Sequence, residues 1–280
     1  MKPFGELLRE WRERRGVSQL ALACEAEVSS RHVSFLETGR AAPSREMVLR
    51  LSRVLSVPLR ERNVWLHAAG FAHAFAERSL DDRALSRARA AVELVLRGHE
   101  PFPALAVDRH WTLVASNDAV TRLLAGVAPK LLEPPVNVLR LSLHPEGLGP
   151  RIQNFEQWRT HLVERLHRQI ETLADPVLVE LAKELQRYPT PTSQRDRAGQ
   201  TPSQPEYGGV AIPLELATDA GVLRLISTTT VFGTAVDVTL SELVLESFFP
   251  ADARTAELLA PPSSTRRGRV GRAVPRGSAE

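Results

Sequence analysis

The chain has 280 residues, of which 43% are hydrophobic and 25% charged, so its composition is globular and not disordered. A single cysteine excludes an internal disulfide and a cysteine-based zinc site, while the length predicts roughly two domains. No apolar run approaches the roughly 20 residues of a membrane span, and the N-terminal segment lacks the apolar stretch of a signal peptide. These features predict a reduced, soluble, cytoplasmic protein with no membrane partner.

The net charge of +3 hides an uneven distribution along the chain. Residues 1–75 carry 12 Lys and Arg against 8 Asp and Glu, whereas residues 76–260 carry 19 against 24. Residues 261–280 carry five Arg and one Glu. A basic head and a basic tail on an acidic body indicate an anionic partner, with nucleic acid as the leading candidate. Solvated arginine-rich helices would give the same excess of basic residues in the head, so charge alone does not identify the partner.

Helical spacing of apolar residues dominates the first 75 residues and predicts a compact domain of five short helices. Serines stand where helix N-caps are expected, and glycines stand where helices end. The predicted signals are, in chain order, Phe4 to Trp11 ended by Gly16, a cap at Ser18, a cap at Ser29 with an end at Gly39, a cap at Ser44, and Pro58 with an end at Gly70.

The second and third of these helices are joined by a tight turn, with the small residues Ala23 and Ala26 at their crossing. This arrangement is typical of a helix-turn-helix motif. In such a motif the second helix enters the major groove of DNA, and its N-terminal residues meet base edges. The lone Cys24 lies among alanines and is predicted to be an inert packing residue.

Residues 71–100 have helical character and predict a connecting helix between two domains, with a cap signal for a helix from about Arg83 to Leu96. Beyond them the pattern alternates between strands and helices and predicts five strands in an antiparallel sheet covered by helices on one face. The overall prediction is an α+β protein. The predicted elements are strands at Ala104–Val107 and Trp111–Ala115, helix over 151–187, strands at Val210–Ala217, Val222–Phe232 and Glu242–Phe249, and a helix over Ala253–Leu259.

Two segments rich in polar residues, Pro and Gly predict irregular structure. Residues 188–209 are expected to form a mobile loop, and the last twenty residues a disordered tail. The predicted organisation is a DNA-binding head, a connecting helix, a second domain and a basic tail, with limits at 1–75, 76–100, 101–260 and 261–280.

The motif running from Ser18 through Val28 to Arg40, followed by Pro43 and Ser44, resembles the XRE/Cro-type helix-turn-helix repressors over residues 3–57. The resemblance implies a role for each matching position. Base edges would meet Ser30, Arg31 and Ser34; DNA phosphates would meet Gln19, Thr38 and Arg40; and an ion pair between Arg12 and Glu37 would brace the first helix on the third.

Each of these roles has a simpler alternative. Arg31 would otherwise be a solvated arginine, and Ser30 and Ser34 would be helix-surface serines. Arg12 and Glu37 would be two unpaired surface charges. Phe35 departs from the polar residue that often stands at its position, and it would either touch a thymine methyl or pack against its neighbours.

Strings from both parts of the chain resemble the MmyB-like transcriptional regulators, in which an XRE head precedes a PAS-like ligand-binding domain. The strings that carry this resemblance are RHVSFLETGRAAPSREMVLRL, PLRERNVWLHAAGFA, PALAVDRHWTLVASNDAV and LESFFPADARTAELL, within residues 3–260. The resemblance implies a bacterial regulator that acts as a homodimer. It also implies a cavity for a small-molecule effector, for which a fatty-acid-like or otherwise apolar molecule is the natural guess.

The pocket candidates are large side chains and one amide of the PAS-like part: Trp111, Asn117, Trp158, His161, Phe232 and Phe248. Aromatic residues at these spacings are more often core residues. Asn117 is equally well placed to cap a helix, and His161 to be a structural histidine.

We expect double-stranded operator DNA and a small-molecule effector as partners, with no resident cofactor or metal. No paired metal-ligand spacing, glycine-rich phosphate loop or catalytic triad is present, so an enzyme with a regulatory head is disfavoured. A DNA-binding regulator whose PAS-like domain serves only for dimerisation or protein interaction remains the alternative.

Overall fold

The computed structural model describes residues 2–80, 82–173, 175–191, 212–232 and 237–260. The basic tail predicted over 261–280 and most of the loop predicted over 188–209 lie outside these residues.

The head contains the five helices expected from its sequence. Ser18, Ser29 and Ser44 each accept a hydrogen bond from a backbone N–H three residues onward, and so cap three of these helices. The bounds are α1 Phe4–Arg14, α2 Gln19–Glu25, α3 Ser30–Glu37, α4 Arg45–Val54 and α5 Leu59–Ala68.

One apolar core holds the five helices of the head together. Leu8, Leu36 and Trp65 are fully buried in it, and the ring of Phe4 packs edge-on against that of Trp65 at 5.6 Å between centroids. Cys24 is exposed, so the predicted packing role is wrong. The alanines at this end of α2 that lie inward are Ala23 and Ala26, which are buried.

The connecting helix is shorter than the helical segment 76–100 and close to the span of about Arg83 to Leu96 predicted from the cap signal. Residues 71–80 are not helical, and α6 spans Ser86–Gly98 after a 3₁₀ turn at Arg83–Leu85. The reason is tertiary: the Asn63 side chain binds the backbone of Ala74 and Phe75, which withdraws these groups from helical hydrogen bonding.

The second domain is an antiparallel five-stranded sheet with helices, which confirms the predicted α+β architecture. The strand order is β2-β1-β5-β4-β3. The strands are β1 Ala104–Val107, β2 Leu113–Ser116, β3 Leu214–Thr218, β4 Gly221–Val231 and β5 Val244–Pro250. The helices are α7 Asp118–Leu123, α8 Val138–Leu143, α9 Phe155–Leu173, α10 Pro176–Arg187, α11 Val238–Ser241 and α12 Ala253–Leu259.

The helix predicted over 151–187 is two helices. Pro176 begins α10 and has no N–H to continue a helical ladder, while the Asp175 carboxylate accepts a hydrogen bond from Val177 N at 2.9 Å. Strand β2 begins later than predicted because Trp111 has a φ of 66° and cannot extend the strand.

Both faces of the sheet are covered. On one face, α6 packs through Val92 and Leu96 against Ala104, Ala106 and Leu245. The helices α7 to α10 cover the other face and form the larger core with it. The predicted single-sided cover is therefore wrong, since α6 belongs to the sheet rather than only connecting two domains.

Candidate functional site

The tight turn between α2 and α3 sets the geometry of the helix-turn-helix. Ala23 and Ala26 are buried and have no bulk beyond Cβ, so the two helices approach closely. Glu27 adopts a left-handed φ of 55°, and Val28 N donates to Ala23 O at 2.9 Å. The Ser29 hydroxyl then caps α3 by accepting from His32 N at 3.1 Å.

The N-terminal face of α3 is open to solvent. Ser30 and Arg31 are exposed, and Ser34 is half-buried one turn further on. The Arg31 guanidinium lies 5.1 Å from the ring centre of Phe35, and that of Arg40 lies 6.0 Å from the same ring. Phe35 therefore supports two arginines on this face and is not itself a core residue.

A cluster of Arg12, Gln19 and Glu37 lies behind this face, and we call it the Glu37 cluster. Arg12 donates to both Glu37 oxygens, from Nε at 2.6 Å and from Nη2 at 3.0 Å, while Gln19 Nε2 donates to Oε2 at 2.7 Å. The Glu37 side chain is only 3% exposed and that of Arg12 11%. Hydrogen bonding to the Glu37 carboxylate raises the pKa of Arg12. The cluster joins α1, α2 and the end of α3.

The three residues expected to contact DNA phosphates differ in which of their hydrogen-bond donors are already engaged within the head. The Gln19 amide nitrogen is held by Glu37, and the Thr38 hydroxyl donates to Ser34 O at 2.8 Å. The Arg40 side chain is exposed and forms no hydrogen bond or ion pair with the described residues. Of the three side chains, Arg40 has unengaged guanidinium donors, Gln19 keeps one amide N–H beyond its bond to Glu37, and Thr38 would have to rotate its hydroxyl to donate outward.

The second domain contains an apolar cavity of about 80 Å³ between the sheet and its helices. Two of the six predicted pocket residues, Trp158 and Phe248, line it. Its other walls are Pro103, Leu105, Leu113, Val120, Leu123, Leu124, Val138, Leu139, Leu141, Ser142, Leu148, Leu162, Leu214, Leu225 and Glu246.

Asn117 does not line the cavity. Its Oδ1 accepts from Ala104 N at 3.1 Å and caps α7, and its Nδ2 donates to Leu96 O and Phe102 O at 3.1 and 2.8 Å. Every donor of the amide is engaged by the backbone, so this residue ties α6, β1 and α7 together and has none free for a ligand.

The other three candidates are also outside the cavity wall. Phe232 packs against the cluster on the opposite face of the sheet. Trp111 donates from Nε1 to Gln169 Oε1 at 2.9 Å. His161 stacks behind the ring of Trp158 at 5.5 Å, and burial lowers the pKa of its imidazole. None of these three side chains lines the cavity, and a role for them in ligand binding stays a prediction.

The sequence interpretation missed Glu246, which lines the cavity and is 6% exposed. Nη1 of Arg165 on α9 contacts its Oε1. Burial raises the pKa of Glu246, and Arg165 opposes that effect. The sequence does carry a signal for it, because Glu246 shares the strand face of Val244 and Phe248, where an alternating pattern calls for apolar residues.

The head contacts the second domain through Arg60 of α5. Its Nε and Nη2 each lie 2.8 Å from the Glu242 carboxylate, which stands between α11 and β5, and its Nη1 contacts Glu77. The hydrogen bonds with Glu242 raise the pKa of Arg60. Next to this pair, Val238 N donates to Ala76 O at 2.8 Å.

Among the described residues, no group of three or more His, Cys, Asp or Glu side chains is arranged to hold a metal ion. In the same part of the chain, no helix has the length and apolar character required to cross a bilayer.

Comparison with known families agrees with this architecture. A family model described as the MmyB-like transcription regulator ligand binding domain matches residues 88–260, and a helix-turn-helix domain model matches residues 3–65. The chain belongs to the MmyB-like transcription regulators, and the resemblance inferred from its sequence is confirmed. It is a DNA-binding transcription regulator, and both matched families are domains of regulators, not of enzymes. No curated protein matches the chain.

Proposed function

We propose that this protein is a bacterial, cytoplasmic, XRE-type regulator that binds a specific operator as a homodimer and changes its DNA affinity when a small apolar molecule occupies the cavity. The observation that carries the proposal is the exposed N-terminal face of α3, which the Glu37 cluster fixes on the head of a chain with a separate cavity domain. The head would comprise residues 1–75 and the sensing domain residues 101–260 together with α6.

Sequence would be read by Ser30, Arg31 and Ser34. Arg31 is the strongest candidate, because a guanidinium can donate two hydrogen bonds to the major-groove edge of guanine. Its position over the Phe35 ring limits its freedom before DNA arrives. Phe35 lies beside it, where it could also meet a thymine methyl.

Contacts with the phosphate backbone of DNA would come from three residues at the edges of α3, namely Gln19, Thr38 and Arg40. Gln19 is held by Glu37 and would reach a phosphate from a fixed position. Arg40 supplies the positive charge. Two heads would bind half-sites about one helical turn apart, as helix-turn-helix dimers do.

Coupling between cavity and head would run through β5. Phe248 and Glu246 line the cavity, and Glu242 four residues before Glu246 binds Arg60 of the head. A ligand that shifts β5 would therefore shift the Arg60 contact and the placement of the two heads relative to each other.

The test is DNA binding by the full chain, measured by fluorescence anisotropy on an operator selected from random sequences and on unselected DNA. Arg31→Ala should weaken operator binding about 5- to 150-fold and reduce discrimination against unselected DNA. Arg40→Ala should weaken binding to the operator and to unselected DNA nearly equally. It should also reduce the slope of log affinity against log salt concentration by about one. Arg97→Ala, an exposed arginine on α6 that is 72% exposed, serves as the matched control.

Operator affinity that is independent of salt, or unchanged in the double variant Gln19→Ala with Arg31→Ala, would refute the DNA-binding proposal. An equal loss in the Arg97→Ala control would show that general charge, and not the face of α3, determines the affinity.

A second candidate is favoured by the small size of the cavity. At about 80 Å³ it is well below the roughly 300–1,000 Å³ of sites for drug-sized ligands. The second domain would then only dimerise or bind another protein. Native mass spectrometry before and after denaturation separates the two, because a released small molecule supports the sensor and a ligand-free dimer supports the alternative.

A further inference from the structure

Among the described residues that line the apolar cavity, Glu246 has the single ionisable side chain. Apart from Glu246 and Ser142, its lining residues are Leu, Val, Pro, Phe and Trp. Ser142 Oγ already accepts a hydrogen bond from Trp158 Nε1 at 3.0 Å. A buried carboxylate in such a lining is an unusual feature that apolar packing does not explain.

The described residues leave the acceptor capacity of this carboxylate largely unused. Arg165 is its charged neighbour, with Nη1 against Oε1, yet Oε1 is buried and has no hydrogen bond of good geometry within the described part of the chain. Arg165 is itself held elsewhere, since Nη2 donates to Thr229 Oγ1 at 2.7 Å and the guanidinium lies 4.5 Å from the Trp111 ring centre.

An ionised carboxylate has about four lone-pair sites, and burying them without donors costs free energy. A ligand that fills the cavity and donates a hydrogen bond to Glu246 would recover part of this cost. The charge of Glu246 is already balanced by Arg165. A cationic donor would therefore leave an unbalanced positive charge in an apolar site, and a carboxylate would place a second negative charge beside the first.

We propose that the effector of this cavity is a mainly apolar molecule carrying one neutral hydrogen-bond donor, such as a hydroxyl, which donates to the Glu246 carboxylate. This inference rests on the proposed function, because it assigns the ligand class of the same sensing domain. At roughly 10–15 Å³ for each water-sized group, the cavity of about 80 Å³ holds about five to eight non-hydrogen atoms, so a short aliphatic chain is the fitting size.

The test uses the full-length protein and three probes of equal chain length: 1-hexanol, hexanoate and hexylammonium. Dissociation constants come from ligand-detected NMR titrations at neutral pH. We expect 1-hexanol to bind about tenfold more tightly than either charged probe. Glu246→Leu should remove that preference, whereas Glu246→Gln should keep the binding of 1-hexanol because its amide oxygen still accepts a hydrogen bond.

Glu215→Gln is the matched control, because Glu215 lies on the same sheet, pairs with Arg224 and is not part of the cavity wall. It should leave all three dissociation constants unchanged. Operator binding, measured on the same samples, reports separately on the DNA-binding part of the proposed function.

Several results would overturn the inference. Hexanoate binding as tightly as 1-hexanol would make the ligand an acid, and tightest binding of hexylammonium would make the donor cationic. A preference for 1-hexanol that survives Glu246→Leu would remove Glu246 from recognition. If no probe binds while operator affinity is intact, the cavity is not the site for this ligand class, and the DNA-binding proposal stands without it.

Discussion

At the residue scale, two buried carboxylates have opposite situations. Glu37 accepts three hydrogen bonds from Arg12 and Gln19. Glu246 has one contact with Arg165 and lies against apolar side chains. A buried carboxylate is tolerated when its lone pairs accept hydrogen bonds. Glu37 therefore stabilises the head, whereas Glu246 keeps unused hydrogen-bonding capacity.

Removing the partner of Glu37 should destabilise the head strongly. Arg12→Met would leave a carboxylate that is 3% exposed without its main charge partner, at a cost of about 3 kcal/mol in the free energy of unfolding. Urea denaturation measures this loss. Arg9→Met, on the same helix but in an exposed pair with Glu13, should leave the midpoint unchanged. Equal midpoints for the two variants would contradict a structural role of the Glu37 cluster.

The stability contributed by Glu246 should depend on pH. Burial raises its pKa above the ordinary value of 4.5, so the folded state binds the proton more tightly than the unfolded state does. The stabilisation is therefore complete below that ordinary value and is lost as the pH rises through the folded pKa. Unfolding free energies of wild type and Glu246→Gln, compared between pH 4.5 and pH 8, should diverge in this direction, with wild type losing more; parallel curves would contradict it.

At the scale of elements, two adjacent serines at the start of α3 have different roles, one in the stability of the helix and one in DNA recognition. Ser29 caps α3 through its side chain, whereas Ser30 begins the helix, is exposed and is predicted to face base edges. The Ser29 cap therefore stabilises the helix, whereas Ser30 contributes only to its exposed surface.

Ser29→Ala should therefore cost about 1 kcal/mol of unfolding free energy, because a backbone N–H at the start of α3 loses its acceptor. Ser30→Ala should leave stability unchanged and weaken operator binding. Thermal denaturation and anisotropy on both variants check this separation. Loss of stability in Ser30→Ala, or none in Ser29→Ala, would show that the cap is wrongly assigned.

Helix α7 contributes Val120 to the cavity wall. Val120→Leu adds a methylene toward empty space and should be neutral or stabilising, and it should also weaken ligand binding. Val107→Leu, in the packed part of the same core and outside the cavity wall, should cost about 1–3 kcal/mol because the core there has no room. Chemical denaturation of both variants distinguishes a true cavity from a packed core, and similar losses would argue against the cavity.

At the scale of the whole molecule, the Arg60–Glu242 pair connects the DNA-binding head to the strand that lines the cavity. Its donors lie at 2.8 Å from both carboxylate oxygens, and Glu242 is 15% exposed. The sequence separation of 182 residues makes this pair invisible to local pattern analysis.

Glu242→Gln should loosen the head from the second domain. We expect calorimetric unfolding to split into two transitions and protease cleavage within 71–80 to rise about tenfold, since this segment forms hydrogen bonds with both domains. Glu184→Gln is the control, because Arg140 and Glu184 form a similar bidentate pair inside the second domain. The same splitting in the control would mean that the effect is not specific to the contact between the domains.

Short-range sequence signals were sufficient to predict the features that depend on interactions within a few residues of the chain. The serine caps, the short turn of the helix-turn-helix and the helix Ala253–Leu259 follow from hydrogen bonds and periodicity within a few residues, and all appear in the structure. The family resemblance also came from the sequence, through strings that span both domains.

The cavity and the contact between domains depended on tertiary structure. Asn117 has the sequence context of both a cap and a ligand contact, and only the positions of Leu96 and Phe102 decide that its donors are engaged. Residues 71–80 have helical composition, but their backbone forms hydrogen bonds with the Asn63 side chain and with Val238 of the second domain instead of a helix. The sequence by itself determined which helices form in the head and that the head contains a helix-turn-helix, because those depend on short-range patterns. Which side chains face the cavity depends on how distant elements pack together, and no short-range pattern contains that information.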